Sequence, residues 1–150
     1  MDNQKYGIRV TGDYATYQGN EYFATDAGDR IWLFSDDDPL PPGFEPSPYD
    51  WVRGEKLVPM SDIQRLFRVQ THCRWRGHPF SVGIIVDDLA NAEYLGLDFD
   101  SVYHLPGMTR PDKFEVIGKI PVTELTDLSE RIEEVPLDAR SDEASGRQAK

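Results

Sequence analysis

A mainly β fold is predicted for this chain, as a duplicated small antiparallel β unit with two short helical turns. Three observations predict it. Short strand-like runs separated by turn residues dominate the chain, the longest of them alternates apolar with polar residues, and two stretches repeat the same order of parts at an offset of 62.

In chain order, residues 1–5 form a polar, flexible lead-in, and strand-like runs follow at 8–10, 14–17, 21–25, 30–35, 51–59, 66–76, 79–86, 93–97 and 114–121. They are rich in aromatic and β-branched residues, which suit a pleated surface. Residues 61–66 and 123–133 are predicted helical, because each opens on Ser or Thr followed by an acid, as a helix N-terminus prefers. The tail at 137–150, LDARSDEASGRQAK, is polar, lacks hydrophobic periodicity and is predicted disordered.

The repeat is read from two motifs. Residues 51–66, WVRGEKLVPMSDIQRL, align with 113–128, KFEVIGKIPVTELTDL, so that Pro59 matches Pro121, Ser61 Thr123, Asp62 Glu124, Ile63 Leu125 and Leu66 Leu128. Upstream, YQGNEY at 17–22 resembles WRGHPF at 75–80, with Gly19 and Gly77 at equivalent hairpin turns. The predicted division is 6–69 for the first β unit and 70–136 for the second. Units this small pack together or share a sheet, which leaves an SH3-like pair or a single repeated sheet.

The chain carries 27 acidic against 16 basic residues, a formal charge of -11. The tail is balanced, so the excess belongs to the body. Such a surface repels phosphate backbones and attracts cationic partners, while also serving solubility. No apolar run is long enough for a membrane-spanning helix, and the N-terminus MDNQKYGIRV lacks a secretory apolar core. The lone Cys73 has no disulfide partner within the chain and no zinc-ligand spacing around it, so a reducing cytoplasm is the expected compartment.

Two constellations are candidates for binding. The first is Asp36, Asp37 and Asp38 followed by the proline-rich stretch 39–48, which presents Phe44, Tyr49 and Trp51. Prolines hold such a loop extended at low entropic cost, and its length suits a binding surface or a stiff cover over the core. The second is the strand FRVQTHCRWR at 67–76. There Phe67, Val69, Thr71, Cys73 and Trp75 face inward, and Arg68, Arg74 and Arg76 form an outward basic face able to hold phosphate or to pair with the protein's own acids.

No catalytic arrangement is expected. His72 and Cys73 are neighbours on a strand and point to opposite faces, so they make no nucleophile and base pair. Neither GxxxxGK nor GxGxxG occurs, and the aspartate run lacks the alternation of a calcium loop. No cofactor or metal is expected.

The phrases VPMSDIQRLFRV, CRWRGHPFSV and KIPVTELTDL resemble small acidic actinobacterial proteins found as immunity partners of secreted polymorphic toxins. The resemblance implies a non-catalytic inhibitor that occludes the active site of a cognate toxin. Hydropathy and the acidic body, for their part, argue against a membrane partner and against nucleic acid. It brings no binding residues. The partner-binding set expected from the residues themselves is Asp36, Asp37, Asp38, Phe44, Tyr49 and Trp51. Alternatives are a nucleic-acid or phospholigand module on the arginine face, and a scaffold that takes a peptide along a sheet edge.

Overall fold

The computed structural model describes residues 3–137. Of the polar tail expected at 137–150, residues 138–150 lie outside the described residues, as do Met1 and Asp2 of the lead-in. The strands are β1 (Gly12–Tyr17), β2 (Asn20–Asp26), β3 (Arg30–Ser35), β4 (Glu45–Pro46), β5 (Gly54–Pro59), β6 (Arg65–Trp75), β7 (His78–Val86), β8 (Leu89–Tyr94), β9 (Met108–Asp112), β10 (Glu115–Pro121) and β11 (Thr126–Val135). They pair into one antiparallel eleven-stranded sheet, so the fold is mainly β as expected. The helical elements within the described residues include the single turns α1 (Asn3–Tyr6) and α2 (Phe99–Val102) and two 3-10 turns at Met60–Asp62 and Val122–Glu124. No helix among the described residues is long and apolar enough to cross a membrane.

The chain divides into two compact units. One comprises residues 12–69 with 132–137, and the other residues 3–11 with 70–131. In the first unit the strand order is β4-β5-β3-β2-β1, and residues 65–69 of β6 return beside β1. This sheet is buried on both faces. Ala15, Tyr17, Ala24, Ile31, Leu33, Val58 and Leu66 form a core on one face, while Tyr14, Phe67 and Val69 pack with Phe23 on the other. Double burial explains why β3 reads as a nearly continuous apolar run and not as an alternation.

In the second unit the order is β9-β10-β8-β7, followed by residues 72–75 of β6. Here one face is core, with Trp75, Phe80, Val82, Ile85, Val116 and Ile120 all at 2 % exposure or less. Along β6 the burial alternates as expected: Phe67, Val69, Thr71, Cys73 and Trp75 are buried, and Arg68, Gln70, His72 and Arg74 are exposed. The buried Thr71 is satisfied by the segment before β1, its hydroxyl donating to the Arg9 carbonyl at 2.5 Å while its N–H donates to Thr11 Oγ1 at 3.0 Å.

The two units share several local devices. The β1–β2 turn places Gln18 and Gly19 at φ 50° and 81°, and the β6–β7 turn places Arg76 and Gly77 at 52° and 79°, both consistent with the tight hairpin turns that favour Gly. Pro59 lies opposite Arg30, and Pro121 lies opposite Leu89. Directly after each proline, the Met60 N–H donates to the Asp29 carbonyl at 2.8 Å and the Val122 N–H to the Asp88 carbonyl at 3.0 Å. Each 3-10 turn is then closed by a bond back to its first residue, from Ile63 and from Leu125.

Two expectations are corrected. The helix expected at 61–66 is only the 3-10 turn Met60–Asp62, and β6 begins at Arg65. The helix expected at 123–133 is likewise a single 3-10 turn followed by β11, which pairs with β6. The Ser/Thr-acid signal marked a real turn, but Leu128 and Ile132, at helical spacing, remain 45 % and 43 % exposed and bury no stripe that could sustain a helix. Pairing to β6 prevails over local propensity. The run expected at 93–97 is displaced as well: β8 ends at Tyr94, and Leu97 beyond it is 90 % exposed.

Candidate functional site

The loop between β3 and β5 is tied at its base. The Arg53 N–H donates to Asp36 Oδ1 at 2.9 Å, the Arg53 guanidinium lies 3.8 Å from the Asp38 carboxylate, and the Ser47 N–H donates to the Arg53 carbonyl at 3.0 Å. Two of the three aspartates thus serve the loop itself, and the carboxylate of Asp37 makes no hydrogen bond or ion pair among the described residues.

The three loop aromatics do not form one patch. Trp51 packs on Phe34 at 5.0 Å and on Phe23 at 6.1 Å, and Tyr49 stacks on Trp51 at 5.6 Å while staying 53 % exposed. Phe44 instead meets Tyr22 at 5.1 Å and joins the core on the opposite face of the sheet. Strand alternation separates them, since Tyr22 and Phe23 are consecutive in β2 and point to opposite sides. The presented anchor is therefore Tyr49, seated on the half-buried Trp51 and the buried Phe34.

The arginine face is largely occupied by the protein's own acceptors. Arg68 Nε donates to Asp13 Oδ1 at 3.0 Å, and the two residues are direct cross-strand partners. Arg74 donates to the Gly77 carbonyl at 2.9 Å, and the Arg76 guanidinium lies 4.9 Å from the Trp75 ring. In the same strand His72 is exposed and Cys73 buried, on opposite faces.

Burial pushes the Cys73 thiol up to about 11. A thiol that resists ionisation in the folded state ionises first in the unfolded chain, so unfolding releases a proton and stability falls as pH rises from about 9 toward 11. Replacing Cys73 by Ala is expected to flatten this alkaline decline in urea midpoints measured across that range. An unchanged slope would count against a buried thiol. At neutral pH native Cys73 is expected to react slowly with alkylating reagents.

The second unit carries a concavity to whose residues the sequence pattern assigned no binding role. It is an open groove of about 680 Å³ on the non-core face of β7, β8 and β10. Ser81, Gly83, Asn91, Glu93, Ile117 and Lys119 make its floor, with Thr11 on one side and Gly107 and Thr109 on the other. Two glycines bring that second side close. Gly107 sits at φ 81°, and a Cβ there would lie 2.7 Å from the Lys119 carbonyl, while a Cβ on Gly118 would run into the Gly107 carbonyl. Asn91, Glu93 and Lys119 are exposed and make no side-chain hydrogen bond or ion pair among the described residues. A groove of this size, mostly apolar with a few converging polar groups, has the ordinary properties of a ligand site.

The groove can be traced to three substitutions along matched ladders. In the first unit Tyr14, Phe23, Phe34 and Glu55 lie opposite one another in turn, and Trp32 faces Leu57. In the second unit the corresponding ladders are His72, Ser81, Glu93 and Ile117, and Asn91 with Lys119. Ser81, Asn91 and Glu93 stand where Phe23, Trp32 and Phe34 stand in the first unit. This signal was present in the sequence, but it becomes readable only once the pairing register is known.

No curated protein and no solved structure matches the chain. A family model matches residues 10–136, and the chain belongs to the family it describes, Uncharacterised conserved protein UCP033725.

Proposed function

We propose that this chain is a non-catalytic binding protein built from a duplicated β unit, and that it inhibits a cognate toxin by covering the toxin's active site. The observation that carries this reading is the presentation of Tyr49. A half-exposed tyrosine stacked on Trp51, itself packed on Phe34 and Phe23, is a rigid aromatic anchor that loses little entropy on binding. Its loop is acidic and closed at the base by Arg53, and the whole chain carries -11. That charge favours a partner with a cationic cleft and steers its approach. The matching turns, proline positions and ladder registers of the two units support the duplication.

The reading is tested by growth of cells that produce the product of the adjacent gene. Wild-type chain is expected to restore growth, and Tyr49→Ala is expected to weaken the complex by about 30-fold or more and to lose rescue. Asp37→Lys combined with Asp38→Lys, leaving Asp36 on the Arg53 amide, is expected to slow association and to weaken its salt dependence. Absence of a growth defect, or rescue indifferent to Tyr49, would overturn the reading.

A further inference from the structure

The same ladder of positions is filled in the first unit and emptied in the second. Where Phe23 and Phe34 carry Trp51 and Tyr49 from the loop, the second unit has Ser81 and Glu93, and the space is the groove. The first unit thereby shows what such a face takes: aromatic side chains delivered by an irregular segment, Tyr49-Asp50-Trp51, with Arg53 two residues further on.

The groove keeps the apolar part of that surface and adds charge. Ile117 lines it together with the backbone at Gly83, Ala92 and Gly118, so a flat ring has carbon to cover. Glu93 is exposed on the floor with no ion pair or hydrogen bond among the described residues, and Ser81 and Asn91 stand beside it along the face. Lys119 pairs with Asn91 across β8 and β10, which puts an ammonium donor diagonal to the Glu93 carboxylate.

We infer that this groove receives an aromatic side chain from an extended segment of a partner polypeptide, with a basic residue of that segment meeting Glu93 and a backbone carbonyl meeting Lys119. The carboxylate on the floor and the acidic charge of the chain select the sign of the segment. The aromatic ring supplies most of the buried area, as anchors in interface pockets do. This deepens the binding reading above and rests on it only in taking the ligand to be a polypeptide.

The probe is the synthetic peptide SPYDWVR, identical to residues 47–53, titrated into the full-length, isotope-labelled chain and followed by backbone amide shifts in NMR spectra. Saturable shifts are expected at Ser81, Asn91, Glu93, Ile117 and Lys119. They should vanish for the peptide with Trp replaced by Ala, and affinity should fall about tenfold for Glu93→Gln, the loss of one charged contact. Ser81→Phe, which restores the ring found at the matched position, should abolish binding. Should that variant lose its dispersed spectrum, Glu93→Gln decides alone. Shifts confined to Phe23 and Phe34, no saturation at millimolar peptide, or indifference to Glu93 would each overturn the assignment. No cognate partner is in the tube, so failure here leaves the growth test of the inhibitor reading to stand or fall separately.

Discussion

Replacing Trp75 by Ala is expected to cost about 3–5 kcal/mol of folding stability. The indole is 2 % exposed and meets the Phe80 ring edge-on at 5.7 Å, and its Nε1–H donates to Glu124 Oε1 at 3.0 Å. Removing it opens a cavity beside Phe80 in a close-packed core that relaxes only partly around it. The lost hydrogen bond is the smaller part, because the exposed Glu124 carboxylate is rehydrated. Glu124→Gln is therefore expected to cost under about 1 kcal/mol. Domains of this kind hold about 5–15 kcal/mol in total, so Trp75→Ala should lie near the edge of folding in a urea titration. A loss under about 1 kcal/mol would mean that Trp75 is not part of a packed core.

The second large effect is expected at Phe34. It is 5 % exposed and lies 5.0 Å from Trp51, 6.2 Å from Phe23 and 6.4 Å from Tyr49, so one side chain supports the whole seat of the loop. Phe34→Ala is expected to cost about 3–5 kcal/mol, with each lost ring pair adding to the lost burial. It should also raise hydrogen exchange at the Arg53 amide, whose bond to Asp36 closes the loop. Phe44→Ala, on the opposite face and only half-buried, should leave that amide protected. Equal exchange at Arg53 in the two variants would break the link between the ring stack and the loop closure.

Much of the fold could be read in the sequence where a local cause sufficed. Gly19 and Gly77 marked hairpin turns because only a residue tolerant of positive φ suits them, and Pro59 and Pro121 marked the ends of strands leading into tight turns. The alternation of 67–76 gave the faces of β6 because that strand has one polar side along most of its length. Where causes were non-local the reading failed. Residues 123–133 have turn signals and helix-tolerant acids, and only the edge offered by β6 makes them a strand. Residues 3–11 group with 70–131, a neighbourhood that no local pattern announces.

The candidate sites divide along the same line. Asp36, Tyr49 and Trp51 were recognisable from loop composition, yet composition could not say that Asp36 would be used up on the Arg53 amide, or that Phe44 would turn to the other face. The arginine face was visible as a pattern, whereas its partners Asp13 and the Gly77 carbonyl depend on strand register and on the geometry of a turn. The groove depends on absence, on small or polar residues where the other unit has rings, and an absence is legible only against a register.

The most direct measurement is a calorimetric titration of the full-length chain with the purified product of the adjacent gene, run at low and at moderate salt. Saturable binding that weakens with salt, and that weakens further by about 30-fold in Tyr49→Ala, is the expected result. No heat of binding, or an affinity untouched by the loss of Tyr49, would contradict a protein that works by presenting that ring.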